Sequence, residues 1–278
     1  MEQTGYEKRG YLKEDFRLFH LRGTMEESID WHYHTFHKII LLLSGHAAYG
    51  IEGKSYPLEA GSLVLVPGGC IHRPEVAQGA PYERMIVYIS PEFLKAHSAA
   101  PCDLEACFAQ AREEFRFVFR AGAEKKALTL LLSSLEREQR SDSFGAPLLA
   151  QSLFFEFLIA VSRSMAERKL EYVPSTAGDE KVAALLHYLS SHLTEELRID
   201  DLAARFYISK YYMMRRFKEE TGYTIHNYVV TKRLMLAREQ ISLGVPVSEA
   251  CYNCGFREYS AFARAYKKLF SVSPRAAR

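Results

Sequence analysis

The sequence predicts an α+β chain: an N-terminal all-β barrel or sandwich with a helical extension, then an all-α C-terminal part holding two helix-turn-helix units. Three observations point there. Short β-rich runs broken by Gly and Pro fill residues 16–90, and helical periodicity takes over from about residue 103. Near the C-terminus, two segments resemble each other at an offset of about 49 residues.

A chain of 278 residues has room for two domains, and 48% hydrophobic with 25% charged residues is ordinary globular composition. No uninterrupted apolar run approaches the roughly 18 residues of a membrane span. The segment Met1 to Arg9 lacks the apolar stretch of a signal peptide. The cysteines, Cys70, Cys102, Cys107, Cys251 and Cys254, are odd in number and point to a reducing cytoplasm rather than a disulfide scaffold. The net charge of +2 is unevenly spread. Residues 180–278 hold 16 Lys/Arg against 10 Asp/Glu, and the rest of the chain 20 against 24. A basic C-terminal third directs attention to a polyanion partner.

In chain order, Lys38 to Leu43 before Ser44-Gly45, and Ser62 to Val66 before Pro67-Gly68-Gly69, read as strands ended by turns. Leu128, Leu131, Leu132 and Leu135, then Leu149, Leu153, Phe157 and Ala160, recur at helical spacing. Leu130 and Phe154, Phe155 and Leu158 widen these faces beyond one stripe. One side is expected to cover the barrel and the other to form a homodimer seam. Tyr172 to Asp179, with Pro174 and Gly178, reads as a linker in which nothing needs burying. The expected organisation is therefore a sensing barrel at 12–98, a helical and dimerising extension at 99–170, a linker at 171–179 and the tandem units at 180–278.

The first repeat runs Ile199 to Phe206, Ile208-Ser209, Met213, Arg215, Phe217-Lys218 and Gly222. The second runs Val247 to Cys251, Cys254-Gly255-Phe256, Ser260, Phe262, Arg264 and Tyr266-Lys267. Asp200 or Asp201, Ser248 and Ser209 are candidate N-caps, and Gly255 suits a turn at positive φ. Between the units, residues 225–243 hold no Gly or Pro. A helix of about 19 residues is roughly 28 Å long. Successive major grooves on one face of a duplex lie ~34 Å apart, so one chain could set two reading helices into adjacent grooves.

Residues 180–278 resemble the DNA-binding domain of the AraC/XylS family of bacterial transcription regulators. The resemblance rests on Leu202-Ala203, Ser209, Phe217-Lys218, Gly222, Arg233-Leu234, Ala237, Val247 and Ala250. It continues through Cys254-Gly255-Phe256, Ser260, Phe262, Arg264, Tyr266-Lys267, Phe270 and Ser273-Pro274. Two residues depart from it: Ala277 stands where an aromatic is usual, and Arg257 where a small capping residue often opens the second reading helix. The resemblance implies double-stranded DNA and RNA polymerase as partners. It places Tyr211, Met214 and Arg215 at base edges in unit one, beside Lys210, and Tyr259, Ser260 and Arg264 in unit two. Lys218, Lys267 and Lys268 are expected at phosphates, and Arg257 adds another phosphate contact. Cys251 and Cys254 supply only two metal ligands and are expected to pack inside unit two.

In the N-terminal half, Trp31-His32-Tyr33-His34-Thr35-Phe36-His37-Lys38 with Gly45 resembles the first motif of cupin-like barrels. Pro67 to His72 resembles the second. Strand alternation puts His32 and His34 on one face, with His72 able to approach them. Lys38 occupies the place of the metal-binding carboxylate, and His37 faces the other way. No metal or other cofactor is therefore expected, and no catalytic residues: the chain is read as a regulator, not an enzyme. The resemblance implies a small polar metabolite, sugar-like, as effector. His32, His34, His72, Arg84 and Tyr88 are the candidate contacts, with Tyr49 as a further lining residue. The competing readings are a metal-dependent cupin enzyme with an appended DNA-binding domain, and a constitutive DNA binder with a vestigial barrel.

Overall fold

The computed structural model describes residues 12–24, 29–176 and 179–277, the last without its side chain. The expectations for Met1 to Arg9, for Ala177 and Gly178 in the linker, and for the Ala277 side chain lie outside the described residues. The chain divides into two compact units, residues 1–177 and 178–278.

The first unit runs through β1 (Phe16–Leu21), β2 (His37–Gly45), β3 (Ala47–Ile51), β4 (Lys54–Leu58), β5 (Ser62–Val66), β6 (His72–Glu75) and β7 (Tyr82–Ile89). It continues with α1 (Pro91–His97), α2 (Ala106–Glu113), β8 (Val118–Arg120), α3 (Lys125–Gln139), α4 (Ala146–Ala166) and β9 (Glu171–Tyr172). One antiparallel sheet has the order β1-β7-β2-β5-β8-β9, and a second the order β4-β3-β6. Side chains alternate along a strand, so β2 divides its residues between two environments. His37, Ile39 and Leu41 face the helices, where the His37 ring stacks on Phe108 at 4.1 Å. Lys38, Ile40 and Leu42 face the second sheet, where Lys38 meets His72 of β6.

The helices close the open face of the larger sheet. α4 buries Ala150, Phe154, Phe157, Leu158 and Val161, and α3 buries Leu128, Leu132 and Leu135. Phe154 stacks on Phe16 of β1 at 4.3 Å. His20 of β1 lies 2.9 Å from both Glu136 of α3 and Glu83 of β7, tying helix to sheet. With 21 residues, α4 is long and apolar enough to cross a membrane, which the search for an uninterrupted run missed because Gln151, Ser152 and Glu156 punctuate it. Its apolar face is taken up by the barrel.

Two sequence expectations need correction. The helical texture after residue 103 conceals β8, whose register pairs Ser62 with Arg120 and Val64 with Val118. The linker does not start free at 171. Glu171 and Tyr172 extend the sheet as an edge strand, and Val173 is buried and donates its N–H to Val118. A three-residue strand has too little periodicity to register in sequence, yet its open backbone groups recruit the chain arriving later.

The second unit comprises α5 (Glu180–Ser191), α6 (Ile199–Arg205), α7 (Lys210–Thr221), α8 (Ile225–Ser242), α9 (Val247–Asn253) and α10 (Tyr259–Phe270). Ile199 to Val247 is an offset of 48 residues and Lys210 to Tyr259 one of 49, so the connection inside the second unit is one residue longer. Ser209 caps α7 as expected, accepting from the Tyr212 N–H. The other proposed caps are displaced. Asp200 and Asp201 fall inside the first turn of α6 behind Arg198, and Ser248 falls inside α9 behind Pro246. There the acids Asp200, Asp201 and Glu249 serve the helix dipole instead. Gly255 takes φ +83°, and a Cβ there would sit 2.9 Å from the Thr194 carbonyl oxygen. The equivalent turn of the first unit holds Tyr207 at φ +53°.

Candidate functional site

The two helices expected from the sequence to read DNA are α7 and α10. In α7, Met213 and Phe217 are fully buried, and the Phe217 ring meets Tyr228 of α8 edge-on at 5.5 Å. Burying that stripe forces the other face outward: Tyr211 is 73% and Met214 46% exposed, with Lys210, Arg215 and Lys218 beside them. Lys210 pairs with Asp200 of α6. The Arg215 guanidinium lies 6.0 Å from the centre of the Tyr211 ring, and its Nε is 3.8 Å from Glu219. In α10, Phe262 and Tyr266 are buried, which leaves Ser260, Arg264 and Lys267 exposed. Tyr259 departs from the expected free reading position. It is half-buried and leans on Phe262 at 5.9 Å, because the helix starts one turn earlier than its core stripe. Arg257 is exposed and pairs with Glu196 at 2.6 Å. Cys251 and Cys254 are fully buried among Leu234, Ala237, Ala250 and Phe262.

Two residues named in the sequence reading, Arg233 and Asp179, carry the geometry of this unit in roles that reading did not assign. Arg233, on α8, donates from Nε to the Leu193 carbonyl (2.6 Å), from Nη2 to Glu195 (2.6 Å) and from Nη1 to Gly255 (2.8 Å). One guanidinium thus binds the α5–α6 connection and the turn of the second helix pair to the connecting helix. Asp179, the residue that caps α5, also accepts from the Tyr212 hydroxyl (2.7 Å) and from Arg216 Nε (3.4 Å) on α7. The partners are backbone carbonyls and a residue 33 positions away, which no local pattern announces.

In the barrel the expected residues do converge. The His72 ring lies 4.3 Å from His32, 4.7 Å from His34 and 6.0 Å from Tyr49. His34 is also 6.1 Å from Tyr88. Arg84, two positions from Ile86 on the same face of β7, donates to the Tyr82 carbonyl and covers that residue's ring. Each histidine has its Nδ1 within hydrogen-bond distance of a carbonyl: His32 to Asp30, His34 to Phe36 and His72 to Cys70. Donation from Nδ1 leaves Nε2 as the acceptor in each ring. The His72 Nε2 takes a bond from Lys38 Nζ at 3.0 Å. Burial, then the Lys38 charge, hold His34 and His72 well below the ordinary histidine value. Burial, then Arg84, bring Lys38 down to about 7.

The donor set does not suit a divalent metal. Lys38 occupies the lone pair that His72 would give, and an ammonium stands where a carboxylate ligand is needed. No group of three His, Cys, Asp or Glu is arranged to hold an ion among the described residues. His37, the possible substitute, is turned away onto Glu105 at 3.0 Å.

A barrel with converging polar groups, joined to paired reading helices on a stiff connector, defines a DNA-binding transcription regulator with a ligand-binding domain. Comparison with known proteins agrees: residues 16–158 match the family described as AraC-like ligand binding domain, and residues 202–278 match a helix-turn-helix domain family. The chain belongs to the AraC family of transcription regulators, which are not enzymes. It is 26% identical over 256 residues to the "Probable transcriptional regulator LumQ" of Photobacterium leiognathi, covering 90% of this chain and 92% of that one. It is 24% identical over 249 residues to the "HTH-type transcriptional activator RhaS" of Escherichia coli, covering 88% and 85%. Similar solved structures include the DNA-binding domain of AdpA in complex with a target DNA (29% identity, TM-score 0.33, 34% of this chain and 86% of that one). Another is ToxT of Vibrio cholerae (14% identity, TM-score 0.37, 95% and 97%).

Proposed function

We propose that this chain is a cytoplasmic, sequence-specific activator that reads double-stranded DNA as a homodimer, engages RNA polymerase and responds to a small polar effector in its barrel. The observation that carries the reading is the outward face of the two reading helices. Tyr211, Met214 and Arg215 on α7, and Ser260 and Arg264 on α10, are exposed while the opposite stripes are buried. The 18-residue α8 between them spans about 27 Å. Arg215 and Arg264 suit guanine edges, Met214 and Tyr211 suit a thymine methyl, and Lys218, Lys267 and Arg257 suit phosphates. Tyr259 keeps a supporting place at the edge of that face. Activation is supported by the likeness to RhaS, a transcriptional activator.

Asp179, at the start of the second unit, holds Tyr212 and Arg216 of α7, which supports a reading in which the effector acts on that reading helix through the chain preceding α5. A coupling of about 1–3 kcal/mol suffices to switch operator occupancy. Arg215→Ala and Arg264→Ala are each expected to lose about 1–3 kcal/mol at the preferred site. Footprinting and run-off transcription on the same promoter measure both halves of the reading. Wild-type footprints from both variants would show that other helices read the sequence.

The dimer seam is supported by what the barrel leaves uncovered. Leu132, Leu135, Phe154, Phe157 and Leu158 are spent on the core, whereas Leu130, Leu148 and Leu149 stay exposed on α3 and α4. Joint substitution of Leu148 and Leu149 by Glu should convert a sedimenting dimer to monomer. A monomeric wild-type chain at tens of micromolar removes the proposal.

A further inference from the structure

The barrel interior holds two unfulfilled demands of opposite chemistry. Lys38 is a buried cation, 4% exposed, and no carboxylate pairs with it among the described residues. Its hydrogen-bond partner there is the neutral His72, and its Nζ stands 5.3 Å over the Tyr88 ring. Arg84, on the same side of the barrel, adds further positive charge rather than cancelling it. His34, 5% exposed, gives its Nδ1 hydrogen to the Phe36 carbonyl at 2.7 Å. Its Nε2 is thereby an acceptor, and it is buried with no hydrogen-bond partner among the described residues. The His34 ring lies against His72 and within reach of Tyr88, the same two rings that flank the ammonium.

Each simple ligand class satisfies one demand and fails the other. A neutral sugar donates to His34 but leaves Lys38 without a counter-charge. An aliphatic acid neutralises Lys38 but offers His34 nothing. A divalent cation would suit the histidine lone pair and be repelled by the ammonium. Buried charges need pairing and buried acceptors need donors. Resting on the effector reading above, we propose that the effector is a small hydroxy-carboxylate, its acid group on Lys38 and its hydroxyl donating to His34 Nε2. Glu52, the buried acid on the turn after β3, is held by the Ile71 N–H and does not compete for this charge.

The test uses the full chain and three small probes at pH 6.5, with binding measured by calorimetry: glycolate, acetate and ethylene glycol. Glycolate carries both groups, acetate only the acid and ethylene glycol only hydroxyls. Glycolate is expected to bind about tenfold or more tightly than either: over ethylene glycol it gains the charge-assisted bond to Lys38, and over acetate it gives the buried His34 acceptor a donor. Lys38→Met should abolish the glycolate response, and His34→Phe should reduce glycolate to the level of acetate. Neutral probes, including pentoses and hexoses, that bind as well as glycolate and ignore Lys38→Met would overturn the hydroxy-carboxylate while leaving a barrel effector standing. A chain that binds neither glycolate nor any of those neutral sugars overturns both.

Discussion

Lys38→Met is expected to stabilise the barrel by on the order of 4 kcal/mol at pH 6. A lysine that titrates at 10.5 in the unfolded chain and near 7 in the folded one opposes folding wherever the unfolded lysine is charged, and stability rises with pH where the unfolded state binds more protons. Below pH 7 both states are charged and the whole penalty applies. Between pH 7 and 10.5 the folded lysine has lost its proton and the penalty shrinks with each unit. Above 10.5 it is gone. Relative to the variant, the wild-type chain should therefore gain stability as pH rises through this window. The groups facing Lys38 are His72 of β6, His32 and His34 before β2, Tyr49 of β3, and Arg84 and Tyr88 of β7. Burial and the Lys38 charge hold His34 and His72 well below the ordinary histidine value, and Arg84 stays charged throughout. The buried Cys107 thiol and Tyr56 hydroxyl, pushed up in the folded chain, are common to both proteins and cancel in the comparison. Trp31 is the one tryptophan of the chain and sits by the barrel under Arg73, so its fluorescence in urea follows this unit. A variant no more stable than wild type at pH 6, or equally favoured at pH 6 and 10, would show that Lys38 is not carrying a buried charge. A cost of this size fits a site that a bound acid would relieve.

Arg233→Met is expected to weaken binding to a two-groove operator by about 3 kcal/mol, the worth of charge-assisted bonds to carbonyls after partial exposure is allowed for. Its three bonds converge from the α5–α6 connection and from the Gly255 turn, so their loss frees both reading units relative to α8 at once. Arg233→Lys separates this clamp from a phosphate contact. An ammonium can serve a phosphate, but it cannot span three carbonyls in a planar fork. Lysine should therefore bind as poorly as methionine. Recovery of wild-type affinity by lysine, measured by anisotropy on one labelled duplex, would reassign the residue to the backbone of DNA. Half-site binding should change less than binding to the full operator, because each helix pair keeps its own core of Met213 and Phe217 or Phe262 and Tyr266.

Much of this was legible in the residues. β5 coincides with the run Ser62 to Val66, and α8 ends one residue short of the expected 225–243 segment, after Ser242. The outward set on α7 follows from placing Met213 and Phe217 inward, a consequence of the 3.6-residue repeat alone. The clustering of His32, His34 and His72 followed from motif and alternation together. The caps were harder. Asp and Ser near a helix start look alike whether they precede it or lie in its first turn, so Asp200, Asp201 and Ser248, expected at the caps, lie two to three residues past them.

What the sequence settles by itself is the order of elements, the family and the polar faces, because these depend on periodicity and on residue types at short spacing. Tertiary structure alone decides how Lys38 meets His72, how Arg233 gathers three carbonyls, and how the chain near Tyr172 and Val173 is drawn into the sheet. Those contacts join residues 22 to 55 positions apart, and the partners are often backbone atoms that every residue carries. Side-chain identity says nothing about such an acceptor until the fold has brought it within reach.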